Sequence, residues 1–153
     1  MNSSVNTDDA SAGRRQQWMS VLARAKRQLD AYGSQLREPG YRLIRPPETG
    51  MVMVRGRMGA SGAAFNLGEM TVTRCVVQLD NGRIGHSYVA GRSKPHAELA
   101  ALADAHLQGE QHQHWLDALI TPLEQEQSVR RGIKTAQAAT SKVDFMTLLR
   151  GED

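Results

Sequence analysis

The chain has 153 residues, of which 40% are hydrophobic, and it carries 19 Lys or Arg against 16 Asp or Glu. This length fits one domain with a hydrophobic core, and a net charge of +3 does not by itself argue for nucleic acid, which needs a clustered basic face. The single cysteine, Cys75, excludes an internal disulfide, and no apolar run approaches the roughly 20 residues that cross a bilayer. Since the N-terminus also lacks a secretory signal, the expected location is the cytoplasm, with no membrane partner.

The first elements in chain order are a polar tail and a helix. Residues 1–12 are rich in Ser, Asn and Asp and are expected to form a disordered tail, which leaves residues 13–153 as one domain. Residues 14–32 predict a helix with Gly33 as its C-cap. Its apolar residues recur at helical spacing, at Trp18, Val21, Leu22, Ala25 and Leu29.

Residues 41–47 are expected to be extended, because Pro46 and Pro47 disfavour helix in the residues before them. Strands are predicted at residues 51–58 and 70–79, with a glycine-rich loop at 59–68 between them. The last strand is the strongest, with one face formed by Thr71, Thr73, Cys75, Val77 and Leu79. Asn81-Gly82 indicates a two-residue hairpin turn. That turn pairs Leu79 with Ile84, Val77 with His86 and Cys75 with Tyr88, and it puts all six on the core side.

The remainder predicts helices. One covers residues 93–107 with Ser93 as N-cap, and another covers 112–120. After a break, Thr121 caps a third helix that runs to about residue 138, with Glu124 completing a capping box. The C-terminal segment carries an apolar patch at Val143, Phe145 and Met146. Because strands and helices do not alternate, the expected fold is α+β: a single domain with a small antiparallel sheet and a central β-hairpin, packed against several helices.

Three arginines stand out as candidate ligand contacts. Arg55 and Arg57 share one side of their predicted strand, and Arg74 lies on a neighbouring strand opposite Cys75. Together they predict a cluster for phosphate or carboxylate groups, although a solvated sheet face or a protein interface accounts for arginines at least as well.

Other chemical signals are weaker. Arg92, Lys94 and His96 surround the start of a helix, where an anion is stabilised, but a capped helix with exposed charges explains them too. The glycine-rich loop lacks a phosphate-binding fingerprint. Neither a metal-binding pattern nor a catalytic triad can be assembled, His86 is expected to be a core histidine, and Cys75 is expected to be buried and unreactive.

Several segments, taken together, resemble a known family. They are residues 15–23, 47–59, 65–69, 71–74, 91–98 and 142–151, which read RQQWMSVLA, PETGMVMVRGRMG, FNLGE, TVTR, GRSKPHAE and KVDFMTLLRG. This set is similar to the PhnG family, the G subunits of the bacterial carbon–phosphorus lyase core complex. The resemblance covers nearly everything after the tail, in the same order and at compatible spacings.

The resemblance implies a non-catalytic or supporting subunit in phosphonate catabolism. It implies assembly with the H, I and J subunits, two copies of each, and with the L subunit for activity. The reaction converts ATP and methylphosphonate to α-D-ribose 1-methylphosphonate 5-triphosphate and releases adenine. The I subunit is regarded as the catalytic partner at the nucleoside bond.

The resemblance also implies that this chain holds no cofactor of its own. ATP is a substrate of the complex, and an iron–sulfur cluster and S-adenosylmethionine serve the later radical cleavage on the J subunit. No catalytic residue of the family maps onto this chain. Candidates for contact with substrate or partner are Arg55, Arg57, Arg74, Arg92 and His96.

Two alternatives stay open. A free-standing module for small anions or nucleic acid is compatible with a pI near 9.4, but few aromatic residues are present to stack on bases. An independent phosphotransferase or lyase is disfavoured by the missing phosphate loop and metal ligands.

Overall fold

The computed structural model describes the backbone of residues 3–57, 62 and 64–150, and the side chains of residues 10–56, 62, 65 and 67–139. Its centre is an antiparallel sheet in the order β1-β2-β3, formed by Tyr41–Arg57, Ala64–Leu79 and Ile84–Ala90. Three helices precede the sheet: α1 Ser3–Ala23, α2 Lys26–Ala31 and α3 Gly33–Arg37. After it come α4 Lys94–Leu107, α5 His112–Trp115, a π-helical segment Leu116–Ile120 and α6 Thr121–Arg150. The predicted single α+β domain is confirmed.

Helix α4 is the core element against which the sheet and α1 pack. Every residue from His96 to Leu107 except Glu98 is buried. Its N-terminus is capped as expected, because the Ser93 hydroxyl accepts a hydrogen bond from the His96 N–H at 3.3 Å. Small side chains let the sheet approach closely: a Cβ atom on Gly85 would lie 1.9 Å from the Ala101 carbonyl oxygen.

The predicted N-terminal helix is present, but it is broken. All five residues of its apolar stripe are buried, yet the helix ends at Ala23 and Ala25 has non-helical backbone angles. Gly33 begins α3 and does not cap the preceding helix. Helix α1 starts at Ser3, inside the segment expected to be a tail, and disorder of residues 1–12 stays a prediction.

Buried histidines on α4 explain how the helix ends are accommodated. The His96 ring donates to the Leu22 carbonyl at 2.9 Å, and the His106 ring donates to the Leu36 carbonyl at 2.9 Å. Carbonyl groups in the last turn of a helix have no partner within that helix. The two imidazoles donate to such groups at the ends of α1 and α3, and the Leu22 carbonyl also accepts a hydrogen bond from the Ala25 N–H at 3.2 Å. These helix ends are therefore part of the core packing.

The hairpin between β2 and β3 has a different register from the predicted one. Gly82 has a φ of +92°, and the Leu79 N–H donates to the Arg83 carbonyl, so three residues form the loop. Val77 consequently pairs with Gly85, and Cys75 pairs with Ser87. A shift of one residue turns every side chain to the other face. The prediction that Ile84, His86 and Tyr88 face the core is therefore wrong, and all three are exposed.

The bounds of β1 and β2 also differ from the predicted ones. The extended segment expected at 41–47 and the strand predicted at 51–58 form one bulged strand, β1, and Met58 lies outside the described residues. The predicted loop at 59–68 is partly outside them too, and from Ala64 onward it is strand β2.

The C-terminal helices form one continuous helical run. Thr121 has helical backbone angles, so the predicted break and capping box are wrong. Glu124 instead accepts a hydrogen bond from Gln17 of α1. The patch at Val143, Phe145 and Met146 falls in α6, and its side chains lie outside the described set. Among the described residues, no helix has both the length and the apolar character needed to cross a bilayer.

Candidate functional site

The long β1–β2 hairpin extends well beyond the rest of the sheet. Strand β3 pairs only with residues 72–78 of β2, whereas β1 and β2 stay paired out to Arg57 and Ala64. We call the projecting part, residues 51–57 and 64–71, the ribbon. At a rise of about 3.3 Å per residue, its eight β2 residues span roughly 26 Å. Neither β3 nor any described helix continues alongside it in the pairing scheme, so it is a two-stranded structure.

Large apolar side chains are exposed on the ribbon. Met51 is 64% exposed, Met53 55% and Leu67 62%, while Phe65 and Met70 are exposed to a smaller extent. Isolated two-stranded hairpins are marginally stable in water, and contiguous apolar surface of this kind typically marks a protein interface. Methionine is well suited to such a surface because its flexible side chain adapts to a partner.

One face of the ribbon continues the core face of the sheet. Thr49 pairs with Thr73, and the following pairs on the same face are Met51 with Thr71 and Met53 with Glu69. In the body of the protein this face is covered by α4, which buries Cys75 and Val77 among others. On the ribbon the same face has no such cover. The core face therefore runs out into solvent, as it would if another chain completed it.

The opposite face of the ribbon is apolar as well. Val52 pairs with Met70, and Val54 pairs with Gly68. Phe65 and Leu67 fold over Gly56, where an added Cβ atom would meet Leu67 at 3.0 Å and Phe65 at 3.3 Å. A strand with one solvated face alternates apolar and polar residues, and this one does not. The run Met51-Val52-Met53-Val54 is the sequence signal for apolar side chains on both faces, and it was missing from the predicted site, which contained only charged residues and a histidine.

The structure does not bring the three predicted arginines together. Arg55 lies on the ribbon opposite Asn66, whereas Arg74 lies in the body between Glu48 and Tyr88. Eight residues of β2 separate these positions, which is roughly 26 Å. The prediction of a single cluster is wrong because both strands are longer than expected. The backbone of Arg57 lies near the ribbon tip, opposite Ala64, and its side chain is outside the described set.

The two predicted contact residues near the start of α4, Arg92 and His96, also lie in different surroundings. Arg92 is exposed in the connection after β3. His96 is 4% exposed and donates to the Leu22 carbonyl, so its ring faces the core. These two side chains do not form a joint anion site.

The buried reactive groups in the described part of the chain have structural partners. Burial raises the pKa of the Cys75 thiol to about 11, with a smaller contribution from Glu98, so the thiol stays protonated at neutral pH and is a poor nucleophile. Asp104 is fully buried and accepts hydrogen bonds from Arg15, Trp18 and the His86 N–H. The Arg15 guanidinium lies 2.8 Å from it, and this contact raises the pKa of Arg15. No group of three His, Cys, Asp or Glu among the described residues is arranged to hold a metal ion.

Comparison with known proteins identifies a family and a similar curated protein. The family of the phosphonate metabolism protein PhnG matches residues 13–151. The relative is the α-D-ribose 1-methylphosphonate 5-triphosphate synthase subunit PhnG of Rhizobium meliloti (strain 1021). It is 39% identical over 155 residues, and the match covers 100% of this chain and 99% of the relative.

Proposed function

The chain belongs to the PhnG family of phosphonate metabolism proteins, and from that premise we propose that it is a supporting, non-catalytic subunit of an α-D-ribose 1-methylphosphonate 5-triphosphate synthase. The synthase assignment rests on similarity to a synthase subunit along the full length of both chains. The supporting role rests on one structural observation, the uncovered apolar ribbon. A surface of this kind needs another protein chain to cover it.

The chemistry of the remaining side chains supports a role without catalysis. Four groups suited to acid–base or nucleophilic work, His96, His106, Asp104 and Cys75, are buried in the core, whereas His86 and His114 are exposed. Each of the first three is bound to another part of the same chain, and the thiol stays protonated at neutral pH. A general base must be within hydrogen-bond reach of the proton it removes. A substrate at the surface would not reach these groups.

We propose that this subunit supports the reaction in which ATP and methylphosphonate give α-D-ribose 1-methylphosphonate 5-triphosphate and adenine. Its partners are the H, I and J subunits, two copies of each, with the L subunit added for activity. Arg55 lies on the ribbon opposite Asn66, and in this proposal its guanidinium binds carboxylates of a partner or the triphosphate at a subunit junction. In this assembly ATP binds as a substrate, and this chain holds no cofactor of its own.

Co-expression tests this proposal. The chain, tagged at its N-terminus, is produced with the other synthase subunits of its source and purified through the tag. We expect a stoichiometric complex that releases adenine from ATP in the presence of methylphosphonate once the L subunit is added. An active synthase that forms equally well without this chain would overturn the proposal.

A second measurement tests the supporting role separately from assembly. Arg55→Gln and Arg55→Ala are compared in the purified complex for adenine release. A partner-contacting arginine changes the amount of complex, while a substrate-contacting arginine raises KM for ATP or methylphosphonate at unchanged complex yield. Loss of kcat alone, with yield and KM unchanged, would contradict a non-catalytic subunit.

A further inference from the structure

Strand β3 forms one edge of the sheet, and only half of that edge is closed. The Leu79–Arg83 and Thr71–Gly91 hydrogen bonds fix the ladder, so the odd-numbered residues of β3 bond to β2. The N–H and C=O groups of Ile84, His86, Tyr88 and Ala90 therefore point outward from the sheet.

Side chains of α4 close the first half of this edge. The Ile84 carbonyl accepts a hydrogen bond from Gln108 at 3.0 Å, and the His86 N–H donates to Asp104 at 2.9 Å. Caps of this kind prevent an edge strand from pairing with another chain. Within the described part of the molecule, the Tyr88 N–H, the Tyr88 C=O and the Ala90 N–H have no hydrogen-bond partner. The edge is thus open over a short stretch at its C-terminal end.

An open groove lies along this stretch. It has a volume of about 350 Å³ and runs between β3 and the second half of α1. Met19 and Ala23 supply apolar surface on the α1 side, and Tyr88 and Met70 supply it on the outer face of the sheet. An added strand directs alternate side chains to the two faces. The groove offers apolar contact on both, beside free backbone donors and acceptors.

The charged side chains around the groove are basic and favour an acidic binding partner. Arg24 lines the groove, which has no acidic lining residue, and Arg92 and Lys94 follow directly after β3. Arg74 lies across the ladder from Tyr88. A second copy of this chain, paired through the same edge, would bring these basic groups against each other, which is destabilising. An acidic segment would meet them favourably.

We infer, on the basis of the proposed function, that the β3 edge at Tyr88 and Ala90 binds an extended, acidic segment of another subunit by adding it as a fourth strand. Main-chain hydrogen bonds to Tyr88 supply the affinity, and the groove beside α1 selects apolar residues at alternate positions of the added segment. This surface adjoins the ribbon at Met70 and differs from it in offering free backbone groups of β3 beside the apolar side chains.

Hydrogen exchange on the full chain, alone and in the co-expressed complex, tests this contact residue by residue. We expect amide exchange at Tyr88 and Ala90 to slow at least about tenfold in the complex. The amides of Ser87 and Val89 bond to β2 in both states, so they are internal controls. A complex in which Tyr88 and Ala90 exchange as fast as in the free chain overturns the inference and leaves the proposed function intact. If no complex forms, both fall.

A matched pair of variants separates backbone from side chain. Tyr88→Pro removes the outward N–H without removing a ladder bond, whereas Tyr88→Ala removes the side chain and keeps the N–H. We expect Tyr88→Pro to weaken assembly at least about tenfold relative to Tyr88→Ala, with thermal melting used to confirm that both fold. Equal affinities for the two variants overturn the inference. So does a dimer of the isolated chain in which the same two amides are protected.

Discussion

Replacing the most exposed apolar side chains of the ribbon should prevent assembly without unfolding the chain. In the triple variant Met51→Ser, Met53→Ser, Leu67→Ser, three side chains that are 64%, 55% and 62% exposed lose their apolar surface. Full burial of a Met or Leu side chain contributes about 1.5–3 kcal/mol, so covering the exposed part contributes roughly 1–2 kcal/mol each. The sum of roughly 3–5 kcal/mol corresponds to a loss of affinity between about 10²-fold and about 4 × 10³-fold.

The same changes should hardly affect the isolated chain. These side chains are mostly in water in the free chain, and surface substitutions usually change stability by less than about 0.5 kcal/mol each. A thermal melt of the variant within a few degrees of the original chain would show that the ribbon acts in binding and not in folding. A large drop in melting temperature would show that the ribbon is part of the folding unit.

Competition inside the cell measures the affinity loss directly. The tagged variant is co-expressed with the untagged original chain and the partner subunits, and the share of tagged chain in the purified complex is determined. A hundredfold weaker variant should account for about 1% of the complex at equal expression. Ile84→Ser is the matched control, because Ile84 is exposed on β3 at the end that Gln108 caps. Equal incorporation of the triple variant and the control would refute the reasoning.

Three further predictions concern the core. Gly85→Ala should destabilise the chain by about 3 kcal/mol or more in a urea titration, since the new Cβ atom meets the Ala101 carbonyl. The control Gly132→Ala, on exposed α6, should stabilise the chain by about 0.5–1 kcal/mol. Similar unfolding midpoints for the two variants would contradict the close packing of α4. Asp104→Asn should cost about 1–3 kcal/mol in the same titration, because the new amide N–H would face the buried N–H donors whose hydrogen bonds the carboxylate now accepts. Unchanged stability would contradict the network. The thiol of Cys75, whose pKa is raised to about 11, should react slowly with iodoacetamide at pH 8 until the chain is unfolded. Since the unfolded thiol ionises first, near its ordinary pKa, stability should fall as the pH rises from about 9 toward 11, and labelling or stability independent of folding and pH would contradict burial.

The elements with helical periodicity could be predicted from sequence, because a buried stripe depends only on local spacing. Trp18, Val21 and Leu22 recur at that spacing, and all three are buried. The Ser93 cap was equally predictable, since the serine acts on a backbone group three residues away. The break after Ala23 was not, because the end of α1 is bound by His96 of a distant helix as well as by its own backbone.

Strand registers were harder to predict, since one loop residue decides the face of a whole strand. A three-residue loop ending at Gly82 put Tyr88 outside and Val89 inside, where a two-residue turn predicts the reverse. The arginine cluster failed for a related reason, because Arg55 and Arg74 share a sheet but lie far apart along it. Sequence spacing alone does not give the length of a ladder.

The ribbon and the β3 edge meet at Thr73, which lies where the sheet narrows from three strands to two. Its hydroxyl donates to the Gly91 carbonyl at 2.8 Å and lies 3.1 Å from the Thr49 hydroxyl, so it ties all three strands together at that point. Its side chain is fully buried, so these hydroxyl contacts at the base of the ribbon are shielded from water. A preorganised projection loses less conformational freedom on binding than a flexible one. The same threonine is hydrogen-bonded to Gly91, which follows β3 close to Tyr88. A partner that covers the ribbon and a partner that adds a strand to β3 would therefore contact two surfaces that meet at one buried hydroxyl.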